Sequence, residues 1–302
     1  MSVKIGLGIG ASPFKSGQAF FRWVDLCEDA GVDSIWQSDR LVSREPYLES
    51  LATMAALAGA TERMRFGMSA VVATLRDPLL LAKQCASIDF LSDGRLLPVF
   101  GVGAEKAPEW AATGQTPRRR GRRADEILEI VRRLWTEDSV DFEGEFFQYK
   151  GAQIAPRPIQ NPLPLWIGGS SAAAIERTAR IGTGWLAGIQ TPEEVQPVVE
   201  AIRTASLKQG RPIPEDHYGA TFAYRFGTDE DPIVSALNRK RGASARPGFL
   251  VVGSDQDIID RITAYREAGI SKFVLIPIAQ GDEDLLEQTR RLVGEILPRA
   301  EK

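Results

Sequence analysis

The amino-acid sequence predicts an α/β protein built as a single (β/α)8 TIM barrel with insertion loops. Short β-rich runs alternate with helical patterns along the whole chain, and eight such runs occur without a break in composition. Alternating strands and helices form parallel βαβ units, which at this number close most simply into a barrel. The chain has 302 residues, of which 43% are hydrophobic, so one large barrel with a full core fits its length.

The predicted elements follow one another in order. The strands are expected at 3–9, 33–36, 65–72, 95–100, 165–167, 184–187, 219–226 and 272–276. Amphipathic or apolar helical patterns are expected at 20–31, 47–60, 79–91, 123–135, 193–207, 257–267 and 284–297, with an alanine-rich helix after the fifth strand. The alternating stretch 140–152 predicts a small hairpin.

One domain is predicted over 1–302, with insertions at about 103–120, 138–164 and 227–250. The first and last of these exceed the usual length of a loop between a strand and a helix. The last carries the polar sequence RKRGASARPG, which suits a mobile lid over the site.

Composition and charge narrow the class of partner. The formal net charge is −3, which argues against a nucleic acid or an anionic membrane as the main partner. The basic run 118–123 leads directly into a helical pattern and is interpreted as a solvated helix start. Cys27 and Cys85 lie among apolar residues without metal-type spacing, and no signal-peptide or membrane-span pattern occurs, so a cytoplasmic protein with reduced thiols is expected.

A possible dinucleotide fingerprint occurs in the first strand. Gly6, Gly8 and Ala11 match G-x-G-x-x-A. In a true fingerprint the glycines follow the strand and open the helix directly. Here they alternate within the strand, and Ser12-Pro13-Phe14 precedes any helix, so a barrel strand that leaves room for a neighbour or a ligand is the simpler interpretation.

A more informative segment follows the fifth strand. The strand stops at Gly168-Gly169, and Ser170 and Ser171 open the alanine-rich helix. The start of a helix offers free N–H groups and a partial positive charge to an anion, and glycines allow close approach of a phosphate. An ordinary turn between strand and helix is the alternative at this stage.

The predicted strand ends offer little catalytic machinery of their own. In a barrel of this type the site lies at the carboxyl ends of the strands. The single histidine, His217, precedes strand seven and faces the wrong end, and no cluster has metal-ligand spacing, so no metal site is expected. The strand ends are rich in small residues, with Trp36, Trp185 and Tyr224 nearby, which suits either a planar cofactor or simple barrel packing.

Several segments, in the right order, resemble the bacterial luciferase-like family of flavin- and deazaflavin-dependent oxidoreductases. The resemblance covers nearly the whole chain, and its most specific parts are the third to fourth strand block and the Gly-Gly segment. The matching segments are GVDSIWQSDRL, RFGMSAVVATLRDPLLLAKQCASIDFLSDGRLLPVFGVG, RRADEILEIVRRLW, FEGEFFQY, PRPIQNPLPLWIGG and SKFVLIPI.

The resemblance implies a cofactor site with assigned residues. It implies a non-proline cis peptide at Ser69-Ala70 that backs the cofactor ring, with Gly101 and Gly103 beside the cofactor chain. It also implies that Gly168, Gly169, Ser170 and Ser171 hold the cofactor phosphate, in agreement with the helix-start argument.

The resemblance assigns the catalytic residues less completely than the residues that bind the cofactor. Asp39 and Arg40 match an Asp-His pair near the ring, but arginine cannot relay a proton at neutral pH and would instead hold an anionic substrate or a ring hydroxyl. Asp39 and Glu105 are the candidate acid/base carboxylates, and either could equally be an ion-pair partner. A second departure is Thr183, where relatives have aspartate.

The expected function is that of an oxidoreductase that uses the deazaflavin coenzyme F420 for hydride transfer to or from a small organic substrate. FMN, with O2-dependent monooxygenase chemistry, is the alternative cofactor; the chain has Gly103-Ala104-Glu105 where flavin users commonly present an arginine. Trp110, Trp185 and Tyr224 are expected to line the substrate pocket, and a homodimer is possible on the resemblance.

Two rival functions stay open. A non-catalytic flavin-binding protein could use the same barrel, because both departures from the family pattern permit it. A phosphate-ligand lyase or isomerase would need a catalytic lysine or glutamate at a strand's carboxyl end, and Lys272 stands at the opposite end of strand eight.

Overall fold

The computed structural model describes residues 3–241 and 248–300 and has the predicted barrel. Its strands, in chain order, are β1 (Lys4–Ile9), β2 (Ser34–Gln37), β3 (Arg65–Met68), β4 (Val71–Val72), β5 (Leu96–Leu97), β6 (Val99–Gly101), β7 (Val140–Glu143), β8 (Gln148–Ala152), β9 (Trp166–Gly168), β10 (Gly184–Leu186), β11 (Tyr218–Phe226), β12 (Leu250–Gly253) and β13 (Lys272–Pro277).

Parallel pairing closes ten of these strands into a ring, whereas β7 and β8 form a separate antiparallel hairpin and β12 pairs with β11 beside the ring. Strands β3 and β4 follow one another in the chain, as do β5 and β6, and β3 pairs with β5 while β4 pairs with β6. The ring continues through β9, β10, β11, β13, β1 and β2, and β2 pairs with β3. Strands β3 and β4 together occupy one position of the barrel wall, and so do β5 and β6. The wall therefore has eight positions.

Helices surround the barrel. They are α1 (Gly17–Asp29), α2 (Ser50–Ala60), α3 (Pro78–Leu91), α4 (Glu109–Ala112), α5 (Arg120–Thr136), α6 (Ala172–Ile181), α7 (Pro192–Lys208), α8 (Pro232–Arg241), α9 (Asp255–Glu267), α10 (Gly281–Arg291) and α11 (Leu297–Ala300). A 3-10 turn spans Ala73–Leu75, and a π-helical turn, Leu292–Ile296, joins α10 to α11.

Two predicted strands are each broken in the structure. The strand expected at 65–72 is interrupted at Ser69-Ala70, which is joined by a cis peptide bond. The strand expected at 95–100 is interrupted at Pro98, which has no N–H group to donate to a neighbouring strand. The sequence analysis predicted one uninterrupted strand in each place.

The stretch 227–250 is more regular than predicted. It contains α8, and the described part resumes at Gly248 just before β12, which the sequence reading missed. Strand β12 pairs with Ala223–Phe226 at the carboxyl end of β11. Most of RKRGASARPG lies outside the described residues, so the lid stays a prediction.

Apolar side chains fill two separate layers. The outer layer lies between the sheet and the helices, whereas a smaller cluster fills the barrel itself. The inner cluster consists of Trp36, Leu97, Val99, Trp166, Leu186 and Val274. Two inward glycines of β1 make room for this cluster, since a Cβ on Gly6 would lie 2.7 Å from Trp36 Nε1 and one on Gly8 2.9 Å from Val274. The glycines thus serve barrel packing within the strand, as the sequence argument held.

Candidate active site

The carboxyl ends of the strands surround a cavity of about 760 Å³. The carboxyl ends of β1, β2, β3, β10 and β13 contribute to it together with Thr221 within β11, and α8 lies over one side. This is the end of a parallel barrel at which ligands bind. Three predicted site residues, Asp39, Arg40 and Ser69, are among its lining residues.

The two sides of the cavity differ in polarity. On the side of β1 and β2 the lining is largely polar and includes Ser12, Ser38, Asp39, Arg40, Glu45 and Tyr47. In the lining that comes from β13, from α8 and from the segment after β10, aliphatic side chains dominate, and we call this part the apolar wall: Ile189, Ile233, Leu237, Ile276 and Ile278.

Asp39 is held in a buried ion pair. Its side chain is 1% exposed, and its carboxylate accepts two hydrogen bonds from the Arg76 guanidinium, at 2.7 and 2.8 Å. It also accepts from the Val72 backbone N–H at 2.8 Å and from the Ser50 hydroxyl at 3.1 Å. These four donors occupy the oxygens, so Asp39 fixes the chain that follows the cis peptide and has no free lone pair directed at a substrate.

Arg76 is the partner that sequence reasoning overlooked. Burial by itself would lower its pKa, but hydrogen bonds and the charges of Asp39 and Glu49 outweigh that effect and raise it. The guanidinium therefore stays charged beside the Asp39 carboxylate. The residue stood in the sequence directly before Asp77-Pro78, but spacing alone could not reveal a contact across 37 residues.

Arg40, which follows β2, and Glu105, which follows β6, are both exposed. The Arg40 guanidinium lies 5.9 Å from the centre of the Tyr47 ring, at the polar side of the cavity. The Glu105 side chain is 73% exposed and lies 3.8 Å from Arg120. Arg120 also donates to the Gly103 carbonyl at 3.2 Å, so Glu105 belongs to a surface ion pair beside the glycine turn.

Small residues of three neighbouring strand ends meet beside the cavity. The Ser69-Ala70 peptide bond is cis, as predicted. A Cβ placed on Gly168 would lie 3.5 Å from the Ala70 methyl, and one on Gly101 would lie 3.7 Å from it. The three positions therefore form a low platform on which no side chain exceeds a methyl group.

The segment Gly168–Ser171, which we call the Gly-Gly turn, leads from β9 into the start of α6. Gly169 has a φ of +100°, a conformation that favours glycine, and residues 169–171 are exposed. The Ser171 hydroxyl accepts from the Ala174 N–H at 3.2 Å and so caps the helix. The N–H groups of the first helical turn that this cap does not reach have no intrahelical acceptor and can receive an anion.

The three aromatic residues expected to line the substrate pocket do not do so. Trp185 and Tyr224 are fully buried in the layer between sheet and helices. The Trp185 indole donates to the Gly169 carbonyl at 2.8 Å, and the Tyr224 hydroxyl donates to the Gln288 carbonyl at 3.3 Å. Trp110 is 4% exposed and donates to the Ala104 carbonyl at 2.8 Å. For Trp185 and Tyr224 the expectation did not take account of strand register, which decides the face of each side chain, whereas Trp110 lies on α4 and faces the interior there.

The register of β11 instead places Thr221 at the cavity. Phe222 stacks on Tyr265 of α9, and Tyr224 contacts α10, so the alternate residues of β11 face inward. Thr221 is one of them, lines the cavity and is 7% exposed. The alternation of Tyr218, Phe222 and Tyr224 with small residues is the signal in the sequence from which the inward face could have been identified.

The residues described by the structure contain no group of three or more metal-ligating side chains that could hold an ion. His217, at the amino end of β11, contacts the Thr183 carbonyl through Nδ1 at 2.6 Å. Within the same described residues no helix is long and apolar enough to cross a membrane.

Comparison with known proteins identifies the family of this chain. Residues 3–241 match the luciferase-like monooxygenase family, so the chain belongs to that family. Its relatives include enzymes that depend on F420 or FMN. This membership confirms the resemblance and the barrel inferred from the sequence.

Three similar proteins show how identity and coverage vary among the matches. An uncharacterised protein of Mycobacterium bovis is 34% identical over 56% of this chain, and the alignment covers 58% of that protein. The F420-dependent glucose-6-phosphate dehydrogenase of Amycolatopsis mediterranei is 26% identical, with 96% of this chain and 99% of the relative covered. The monooxygenase RslO1 of Streptomyces bottropensis, whose structure has a TM-score of 0.84 at 24% identity, covers 98% of this chain and 99% of its own.

Proposed function

We propose that this protein is an oxidoreductase that binds F420 and transfers a hydride to or from a small organic substrate. The observation that carries the proposal is the juxtaposition of three features: an exposed helix start, a low platform beside a cis peptide, and a cavity at the strand ends. Support comes from F420-dependent relatives that align over nearly the whole chain.

The residues present fit a phosphorylated, planar cofactor. The Gly-Gly turn would receive its phosphate, because Ser170 and the start of α6 are exposed and carry no acidic side chain in the first helical turn. The platform of Ala70, Gly101 and Gly168 would take the adjoining part, since nothing larger than a methyl group rises from it. Ser69 lines the cavity and would contact the ring.

When bound, F420 supplies a ring that accepts or donates a hydride, and the protein contributes binding and orientation. Asp39 acts through Arg76 and the Val72 N–H, by holding the chain after the cis peptide in place. Arg40 is the charged donor on the polar side and would bind a ring hydroxyl or carbonyl oxygen. Asp39 is therefore a positioning residue, and Glu105 is left as the candidate that could exchange a proton with solvent at the rim.

A titration of the purified protein with F420 and with FMN tests the proposal. We expect F420 to bind more tightly, measured by the change in cofactor absorbance or fluorescence. Tighter binding of FMN with O2 consumption would favour the monooxygenase alternative. Binding without turnover across a substrate panel would favour the non-catalytic alternative, and binding of neither cofactor would refute the proposal.

Two variants of one residue test the phosphate position. Ser170→Glu places a negative charge at the start of α6 and should weaken F420 binding by at least about tenfold, since like charges repel there. Glutamine has nearly the same size as glutamate but no charge, so Ser170→Gln should bind F420 with an affinity within a few-fold of the wild type. Equal affinities of the two variants would mean that the phosphate binds elsewhere.

A further inference from the structure

We propose that the amino end of the barrel holds a second binding site, which takes a small oxyanion, a carboxylate or a phosphate. A cavity of about 390 Å³ lies there, lined by the first residues of several strands. Among the described residues it shares none with the lining of the cavity at the carboxyl ends. The inference therefore does not rest on the proposed function and goes beyond it.

Three basic side chains from neighbouring strands line this cavity. Lys4, Arg65 and Lys272 begin β1, β3 and β13, and the order β13, β1, β2, β3 places these strands side by side. Side chains alternate between the two faces of a strand. Lys4 lies two residues before Gly6, whose Cβ would lie 2.7 Å from Trp36 Nε1 inside the barrel, so Lys4 is on the inward face of β1.

The same alternation turns the other two cations inward. Arg65 lies two residues before Gly67, whose Cβ would lie 2.6 Å from the Trp36 ring. Lys272 lies two residues before Val274, a member of the inner apolar cluster. All three basic side chains therefore converge on the amino-end mouth of the barrel, where that cluster closes the interior.

These cations are close enough to act on one another. The Lys272 ammonium pairs with Asp33. Burial is the largest effect on the pKa of Lys272 and lowers it, the charge and hydrogen bond of Asp33 raise it, and the charges of Arg65 and Lys4 lower it further. The charge of Arg65 also acts on Asp33. One carboxylate thus faces three cations, so this side of the cavity carries an excess of positive charge.

Arg65 and Lys4 are left without a counter-charge of their own. Among the residues that the structure describes, neither side chain forms an ion pair. The Arg65 guanidinium donates to the Gln160 Oε1 at 3.2 Å, and its remaining nitrogens keep some accessible surface. Burial is the largest effect on the pKa of Arg65 and lowers it, and the charges of Asp33 and Asp89 offset this only in part. A guanidinium with free donors binds a carboxylate or a phosphate through two parallel hydrogen bonds.

The acidic lining residues near β11 stand on another side of the cavity. Glu215 and Asp216 precede β11, which lies across the barrel from β3, four of the eight wall positions away. Glu215 pairs with Arg203, and the Asp216 side chain is 73% exposed, so water and salt screen its charge. An oxyanion would therefore bind between Arg65 and Lys4.

Isothermal titration calorimetry tests the site with two probes, sodium phosphate and sodium succinate, at an ionic strength held constant with sodium chloride. We expect at least one of them to bind with a dissociation constant of about 1 mM or lower. Arg65→Gln should weaken that binding by at least about tenfold, because glutamine offers neither the charge nor the paired donors. Lys4→Gln should weaken it about threefold, since Lys4 is exposed.

Two further variants serve as controls. Arg266→Gln removes an exposed cation in the last turn of α9, which leads to the same end of the barrel outside the cavity lining. It should bind the probe within about twofold of the wild type, because a charge at that distance is screened. Ser170→Glu alters the Gly-Gly turn at the opposite end and should keep an oxyanion site of wild-type affinity.

Binding of phosphate alone or of succinate alone would support the site and identify its ligand as a phosphate or a carboxylate. No binding of either probe, unchanged affinity in Arg65→Gln, an equal loss in Arg266→Gln, or loss of all binding in Ser170→Glu would overturn the inference. If the melting curve shows that Arg65→Gln does not fold, Lys4→Gln takes its place, and unchanged affinity in that variant overturns the inference. None of these results depends on F420, so a failure of the proposed function is measured separately.

Discussion

Asp39 illustrates how a residue that lines the candidate site can act by holding the chain in place. Its two oxygens are occupied by Arg76, the Val72 N–H and the Ser50 hydroxyl. A general base needs a lone pair within reach of the proton that it removes. Asp39 therefore contributes by fixing the segment after the Ser69-Ala70 peptide, and the consequences of removing it should be structural first.

Asp39→Ala is expected to lower the free energy of unfolding by about 3 kcal/mol, because it leaves the Arg76 guanidinium buried without its main partner. Cofactor affinity should fall as well, since Val72 loses its anchor. Urea unfolding and an F420 titration measure the two effects. The control is Glu49→Gln, which alters the more exposed partner of Arg76 and should cost about 1 kcal/mol or less. A fully stable Asp39→Ala protein that binds F420 but has lost turnover would show that Asp39 takes part in the chemistry.

At this scale the sequence predicted residue types better than contacts. The cis bond at Ser69-Ala70 was located, and Asp39 and Arg40 do lie at the cavity. The ion pair of Asp39 with Arg76 could not be predicted, because it depends on two loops meeting above the sheet. Trp185 was assigned to the pocket by its position along the strand, although the face of a strand residue depends on register.

At the scale of elements, the unit of β9, the Gly-Gly turn and α6 was well predicted because its chemistry is local. Glycines that allow an unusual φ and a serine that caps a helix act within a few residues of one another. The irregularity at Ser69-Ala70 was implied by the resemblance, whereas the break at Pro98, the helix α8 and the strand β12 were not predicted. Helix α8 packs over the cavity and β12 pairs with the distant strand β11, and a short sequence window contains neither contact.

Trp185 connects the outer layer to the Gly-Gly turn, and this leads to a prediction. Trp185→Phe removes the bond from the indole to the Gly169 carbonyl and should cost about 1 kcal/mol of stability. It should also weaken F420 binding several-fold, because the turn loses its support. Trp135→Phe is the matched control: its indole donates to the Ala82 carbonyl at 3.1 Å, away from the turn. The control should lose similar stability in urea unfolding but keep its F420 affinity, and equal affinities in both variants would contradict a supporting role for Trp185.

At the scale of the whole molecule, the barrel interior leaves almost no free space near Trp36 and Trp166. A Cβ on Gly67 would lie 2.3 Å from the Leu97 carbonyl oxygen and 2.6 Å from the Trp36 ring. The backbone atom cannot move without shifting the pairing of β3 with β5. Glycine at this position is therefore a condition for closing the barrel around Trp36.

Gly67→Ala should consequently destabilise the protein by about 3 kcal/mol or more through overpacking. The comparison is Gly59→Ala in α2, where a Cβ would meet no atom within 4 Å. That change should stabilise the helix by about 0.5–1 kcal/mol, since alanine loses less conformational entropy than glycine. Chemical unfolding of both variants measures the difference, and a Gly67→Ala protein as stable as the wild type would mean that the barrel wall can open to admit a methyl group.

The amino end of the barrel is joined by an ion pair between Asp33, beside β2, and Lys272 of β13, and this pair makes stability depend on pH. Burial by itself would raise the pKa of Asp33, but the charge and hydrogen bond of Lys272 and a hydrogen bond from Ser34 at 2.7 Å outweigh it and lower the pKa below 3.8. A carboxyl group whose pKa is lower in the folded state stabilises the fold above its ordinary pKa, and this contribution is lost as pH falls through that range.

The stability difference between the wild type and Asp33→Asn should therefore be largest at neutral pH, at about 3 kcal/mol, because asparagine leaves the Lys272 ammonium buried without a counter-charge. The difference should shrink as pH falls below about 4, since a protonated Asp33 also lacks the charge. Urea unfolding at pH 7, 5 and 3 measures this, with Asp29→Asn as an exposed control that should stay within about 0.5 kcal/mol of the wild type at each pH. A difference that does not vary with pH would mean that the Asp33 carboxylate stabilises the barrel through its shape and hydrogen bonds, with no net contribution from its charge.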